Sequence, residues 1–235
     1  MKENPSMIIT GTSKGIGRGI AQYFLSKGYT VFGCSRSAST LEEPEYFHSQ
    51  VDITDYKQVR TWISSIRKVS PSIDVLICNA GIAPASTLLT MMSGDLVEKV
   101  MSTNIGGTYY VCQEVAKQMV RQRSGRIITI SSMAVGLHLE GTSAYAASKS
   151  AVVEMTKILA KELAPFNITC NTLAPSMMMT DAVEVLGDEI ISHALNKLTI
   201  KRKLTIDEIC NVLSFFIAPQ SACITGQVIH MGLVN

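Results

Sequence analysis

Six short apolar runs recur along the chain, and stretches with apolar residues at helical spacing lie between the first of them. The runs are SMIIT at 6–10, TVFGC at 30–34, DVLICNA at 74–80, GRIITIS at 125–131, ITCNTLAP at 168–175 and QVIHM at 227–231. GIGRGIAQYFLSKG and YKQVRTWISSIRKV repeat their apolar positions every three or four residues, as amphipathic helices do. Strands that alternate with helices in this way pair in parallel, because each helix carries the chain back to the end of the sheet where the last strand began. Several runs are apolar throughout, as strands buried on both faces must be. The expected fold class is therefore α/β, with helices on both faces of a mostly parallel sheet. No repeat, low-complexity tract or linker divides the chain, so residues 1–235 are expected to form one domain.

Composition narrows the function. The chain is 46% hydrophobic and 17% charged, which suggests extensive burial, and its formal net charge of +2 is too small to point to nucleic acid or a membrane surface. No apolar run approaches the ~20 residues that span a bilayer. The opening MKENPSMIITG lacks the apolar stretch of a signal peptide, and a cytoplasmic location is expected. The cysteines at 34, 78, 112, 170, 210 and 223 stand singly, without histidines at ligand spacing, so no metal site is expected.

The first apolar run leads into TGTSKGIG and then into a helical pattern, which places Gly11, Gly15 and Gly17 on a strand-to-helix turn. Glycine there permits a tight turn and close approach of a pyrophosphate to the amide groups of the helix N-terminus. The turn residues Gly11, Thr12, Ser13, Lys14, Gly15, Ile16 and Gly17 are the candidate cofactor cradle. The second run ends CSRS, where a site selective for NADH would carry a carboxylate. Ser35 and Arg36 offer none, the Arg36 guanidinium suits a 2′-phosphate, and Lys14 can add a second positive charge. NADPH is the expected cofactor.

In TSAYAASKSA, at 142–151, Tyr145 and Lys149 stand four residues apart and would share a helix face. Reducing a ketone needs a hydride at carbon and a proton at oxygen. A tyrosine with its ordinary pKa of about 10 releases its proton reluctantly, and a neighbouring ammonium is expected to lower that value. Ser132 would add a hydroxyl donor to the same oxygen.

These motifs, with Asp52 in VDITD, CNAG at 78–81, Asn104 in STNIGG and NTLAPSMMMT at 171–180, resemble the short-chain dehydrogenase/reductases over nearly the whole chain. The segments LLTMMSGDLVEKVMSTNIGGTYYV and GRIITISS resemble the 3-oxoacyl-[acyl-carrier-protein] reductase branch most closely. The resemblance implies a Rossmann-type, doubly wound sheet of seven strands and a homodimer or homotetramer. It implies that Asp52 and Ile53 contact the adenine and that Asn79, Ala80 and Gly81 line the floor beneath the ribose. It implies that Asn104 holds a relay water, Ser132 polarises the substrate carbonyl, Tyr145 donates the proton and Lys149 bonds the nicotinamide ribose. Pro175, Met178 and Thr180 would hold the carboxamide side.

The expected activity is NADPH-dependent reduction of a 3-oxoacyl thioester, carried on a carrier protein, in fatty-acid or polyketide-like biosynthesis. A reductase or dehydrogenase of a free small ketone or alcohol is the alternative within enzymes, and a non-catalytic NADPH sensor is the alternative outside them. Arg123, in the basic stretch AKQMVRQRSGR, matches a carrier-docking position of the branch, whereas Phe166 stands at the second. Ser176 replaces the glycine that the family has after Pro175, and would be strained if that backbone needs positive φ. The segment 176–203 is expected to be a substrate lid. His138 and His193 are assigned no catalytic role.

Overall fold

The computed structural model describes residues 4–178, 191–192 and 195–234. Seven strands form one sheet: β1 (Ser6–Thr10), β2 (Thr30–Ser35), β3 (Tyr46–Gln50), β4 (Val75–Cys78), β5 (Gly125–Ile130), β6 (Ile168–Pro175) and β7 (Val228–Met231). Their spatial order is β3-β2-β1-β4-β5-β6-β7, and every neighbouring pair is parallel. The order runs outward in opposite directions from β1 and β4. At such a switch point the loops leaving the C-terminal strand ends diverge and open a crevice.

Alternation along the strands divides the core in two. Ile8 of β1 packs with Leu76 and Ile127 beneath α2 (Tyr56–Val69), α4 (Thr108–Gln122) and α6 (Ser143–Leu163), which contribute Trp62, Ile63, Val115 and Met119 among others. Met7 and Ile9, its neighbours, face the opposite layer, where α1 (Gly15–Ser26) brings Ile20 and Phe24 and α7 (Ile206–Ile217) brings Ile209, Leu213 and Phe216. Successive side chains of one strand thus serve both layers, which explains the unbroken apolar runs. Helix starts follow local chemistry. Asp55 caps α2 by accepting from the amides of Lys57 and Gln58, at 2.9 and 3.1 Å. Thr205 and Glu208 cap α7 reciprocally.

Two places differ from the sequence reading. The run YFHSQ forms β3, which no apolar pattern announced, because it is an edge strand whose only buried residue is Tyr46. The backbone at Ser176 is not in the positive-φ region, so serine is unstrained there. Its hydroxyl is buried without a partner, against a residue with no side chain, because a Cβ on Gly232 would lie 2.7 Å from Ser176 Oγ.

All six cysteines are unpaired; five are buried and Cys223 is exposed. Among the described residues, no helix is long and apolar enough to cross a membrane, and no group of three His, Cys, Asp or Glu side chains could hold a metal. Leu76 is fully buried on β4 whereas Val69 is 73% exposed. Leu76→Ala is expected to lower the unfolding free energy by about 2–5 kcal/mol, and Val69→Ala to change it by less than about 0.5 kcal/mol, read as shifts in urea midpoint.

Candidate active site

The switch point holds a cleft of about 530 Å³. Its floor begins at the turn between β1 and α1. Gly11 and Gly15 have φ of 79° and 58°, a region that side chains disfavour. A Cβ on Gly17 would fall 2.2 Å from the Gly11 carbonyl oxygen, so the first turn of α1 is seated directly on the loop before it. Thr10 and Asn79 fasten this turn to the end of β4. Thr10 Oγ1 accepts from the amides of Asn79 and Ala80 at 3.1 and 3.0 Å, and Asn79 Nδ2 donates to the Thr10 carbonyl at 3.0 Å.

Gly11, Ser13, Lys14, Ile16, Gly17, Ser35, Arg36, Asp52, Ile53, Asn79, Ala80 and Gly81, all candidate cofactor contacts, line the cleft. Ser37, Thr54, Lys99 and Thr103 line it as well. These were not singled out in the sequence, since Lys99 belongs to α3 (Gly94–Met101), far along the chain from the glycine turn. Lys14, Arg36 and Lys99 are set against one carboxylate, Asp52, so the lining favours an anionic ligand.

Four expectations need correction or fall outside view. Thr12 does not line the cleft: it is fully buried, and its hydroxyl accepts from Tyr46 at 2.8 Å beneath the turn. Met178 is 4% exposed and packed in the core layer that contains Leu204, and an apolar side chain with that option is not presented to a polar cleft. Pro175 is buried at the end of β6, where its carbonyl accepts from Met133 N, and it does not line the cleft. Thr180, His193 and half of the expected lid lie outside the described residues. His138 is exposed and its Nδ1 lies 2.9 Å from the Gly136 carbonyl.

Beyond Gly81 stand the four residues picked for chemistry. Tyr145 and Lys149 occupy successive turns of α6, confirming the shared helix face. A Cβ on Gly81 would lie 3.1 Å from Asn104 Oδ1 and 3.3 Å from Lys149 Nζ, so the absent side chain lets the cleft-lining backbone of Gly81 pass close to both groups. Asn104 is fully buried in a π-helical turn, Ser102–Gly107, which widens the junction of α3 with α4. Its amide accepts from Ile82 N at 2.8 Å and donates to Ile82 O and Ser148 Oγ, both at 3.0 Å. Ser148 in turn donates to the Tyr145 carbonyl at 2.7 Å, so Asn104 braces the turn of α6 that bears the tyrosine. One lone pair of Oδ1 remains available to a further donor.

The electrostatics differ from the simple ammonium argument. Tyr145 has its pKa raised by burial, partly offset by a hydrogen bond with the Ser132 side chain. Lys149 does not depress it. Lys149 Nζ donates to the Ile130 carbonyl at 2.8 Å, and burial lowers its own pKa to about 8, against a smaller opposing influence of Cys78. The phenol is therefore held protonated at neutral pH, which is the form a proton donor requires.

Arg123 is also placed differently from expectation. It ends α4 immediately before β5 begins, so it lies at the edge of the sheet opposite the cleft, about 20 Å away along a six-residue strand. There Nη2 donates to the Pro165 carbonyl at 3.2 Å and the guanidinium lies 5.8 Å from the centre of the Phe166 ring. It cannot stand beside the pocket entrance of its own chain.

The chain is similar to known proteins over nearly its whole length. The family model described as short chain dehydrogenase matches residues 5–190. The chain belongs to this family. A relative from Staphylococcus aureus, 3-oxoacyl-[acyl-carrier-protein] reductase FabG, is 33% identical over 241 residues, covering 98% of each chain. A Vibrio harveyi protein of the same name is 31% identical over 97% of this chain and 96% of its own. Among solved structures, ElxO with NADP bound is 29% identical and covers 97% of this chain and 96% of its own, with a TM-score of 0.90. The aldohexose dehydrogenase of Thermoplasma acidophilum is 30% identical, covers 98% and 94%, and gives 0.89. Like other members of the family, this protein is an oxidoreductase.

Burying the Lys149 ammonium has a cost in stability. Below pH 8 the amine is charged both folded and unfolded and the full cost applies. As pH rises from about 8 to 10.5 the folded protein releases the proton first, so the cost fades. Lys149→Met is expected to be more stable than the parent at pH 7, by something on the order of 3 kcal/mol less the lost Ile130 hydrogen bond. The difference should shrink above pH 10.5, as followed by urea denaturation at both pH values.

Proposed function

We propose that this protein is an NADPH-dependent carbonyl reductase acting on a 3-oxoacyl thioester. The observation that carries the reading is a cleft lined by Lys14, Arg36 and Lys99, together with a Tyr145 phenol that interacts with Ser132 and stands one helical turn from Lys149. The cleft suits a phosphorylated dinucleotide. Gly11 and Gly17 leave the backbone bare where a pyrophosphate would approach the start of α1, and Arg36 with Lys14 offers charge to a 2′-phosphate. Asp52 and Ile53 would receive the adenine, and Asn79, Ala80 and Gly81 the ribose beyond it. Bound there, the cofactor supplies a hydride to the carbonyl carbon.

The chain's own groups handle the proton. Tyr145, kept neutral by burial, donates its phenolic hydrogen to the carbonyl oxygen as charge builds there. Ser132 hydrogen-bonds the phenol in the resting protein and would turn to the same oxygen, stabilising both anionic species in turn. Lys149, with its pKa of about 8, is predominantly charged at neutral pH and would bond the hydroxyls of the nicotinamide ribose. Asn104 holds the turn that carries Tyr145 and keeps one acceptor for a relay water.

The thioester substrate and its place in acyl-chain biosynthesis are supported by the FabG relatives, at 31–34% identity. A carrier-bound form of that substrate is the finer reading, and the position of Arg123 weighs against docking on the same chain. We further infer a homo-oligomer, supported by a groove of about 480 Å³ between α4 and α6, in which Ala116, Val120, Leu159 and Leu163 are flanked by Gln113, Lys117, Arg121 and Glu162.

Tyr145→Phe is expected to bind NADPH normally and to lose about 10²–10⁴-fold in turnover, followed by the fall in NADPH absorbance. The substrate test offers acetoacetyl thioester on a carrier protein and as a simple analogue. Comparable kcat/KM on both is expected if no docking surface serves the cleft; a large preference for the carrier would establish docking by another surface or another subunit. No turnover on either, with NADPH bound, would move the substrate to a different ketone.

A further inference from the structure

The edge strand β3 carries three polar-headed residues, Tyr46, His48 and Gln50, at alternate positions and so on one face. None lines the cleft, yet two of them reach the loop that does. His48 Nε2 lies 3.0 Å from the Ser37 carbonyl oxygen and 3.2 Å from Ser35 Oγ. Gln50 Nε2 donates to the Arg36 carbonyl at 3.3 Å. Ser35 Oγ completes the arrangement by donating to the Ser37 carbonyl at 2.7 Å.

Proton bookkeeping fixes the role of the imidazole. A carbonyl oxygen has no proton to give, so Nε2 must carry one and donate it to Ser37. Ser35 has already spent its hydroxyl proton on the same carbonyl, which leaves its oxygen free to share the Nε2 proton. On the far side of the ring, Nδ1 lies 2.9 Å from Tyr46 Oη and 3.3 Å from Thr12 Oγ1. Tyr46 can donate to Nδ1, or donate to Thr12 while accepting from a protonated Nδ1. The donor toward Ser37 is present in either protonation state.

An anion-binding loop must turn its amide hydrogens and cationic side chains toward the ligand and its carbonyl oxygens away. Here the carbonyls of Arg36 and Ser37 are both held by side chains of β3, while Arg36 and Ser37 line the cleft. We propose that His48, assisted by Gln50, is a specificity-determining positioning residue that holds the Ser35–Ser37 loop in the conformation that receives a 2′-phosphate. Thr12 and Tyr46 anchor the imidazole to the glycine turn, so the two parts of the cleft that meet phosphates are joined through one ring. The inference rests on the NADPH reading. It assigns the discrimination between NADPH and NADH to residues behind the loop as well as to Arg36 on it.

The test is equilibrium binding of NADPH and NADH to the full chain by nucleotide fluorescence, with thermal melting to verify folding. The parent is expected to bind NADPH more tightly than NADH. His48→Ala should weaken NADPH about five- to tenfold and leave NADH within about twofold, since one positioning hydrogen bond is lost. His48→Gln, whose amide can still donate to Ser37, should recover most of the NADPH affinity. Gln50→Ala, at an exposed edge position, should reduce NADPH affinity in the same sense by a smaller factor. If the parent prefers NADPH but both alanine variants leave that preference unchanged, the proposal fails and the cofactor reading stands. Equal weakening of both nucleotides by folded His48→Ala would also overturn it. If the parent shows no preference, the NADPH reading itself fails, and the proposal with it.

Discussion

The seat of α1 on the loop that precedes it is the contact from which the rest of the site follows. Gly17 lies so close to the Gly11 carbonyl that not even a methyl group fits between them. That closeness brings the helix start to the end of β1, where Thr10 and Asn79 tie it to β4 across the switch point. The parallel sheet then makes a crevice at that place, because the chain leaves β1 and β4 toward opposite sides. Glycine is needed here for proximity as much as for its backbone freedom.

Stability is given up at the other end of the same cleft. A lysine that is 5% exposed and has its pKa lowered by burial is an unfavourable way to fill the space beneath β5. An aliphatic residue would fill it at lower cost. The same packing holds Tyr145 protonated and leaves Ser132 as its hydrogen-bond partner. The site therefore has two buried titratable groups whose environments favour the neutral form, one an acid ready to donate and the other a cation near neutrality. Asn104 and Ser148 spend nearly all their hydrogen-bonding capacity on holding the helix that presents both.

Phosphate recognition has a comparable layered construction. Lys14, Arg36 and Lys99 come from the turn before α1, the loop after β2 and α3, and the sheet order assembles them around one cleft. Behind them β3 contributes no charge to the lining but fixes the carbonyls of the loop. A polar edge strand is well suited to this, since only one residue of β3 is buried and the others are free to hydrogen-bond.

The alternation of apolar runs with helical patterns settled the α/β class, six of the seven strands and the helices α1 and α2, because two-sided burial leaves an unbroken apolar signature. Spacing alone put Tyr145 beside Lys149 and the glycines on a strand-to-helix turn, since those relations lie within a few residues of chain. What the sequence could not decide depends on which side chains meet across the sheet. β3 was hidden because an edge strand need not be apolar, Thr12 turned inward because Tyr46 waited beneath it, and Met178 found a core layer. Arg123 was displaced by direction: in a parallel sheet the end of a helix lies opposite the end of the strand that precedes it. The pKa of Tyr145 was likewise settled by tertiary structure, because burial, which no spacing reports, raises it and the Ser132 hydrogen bond offsets that only in part.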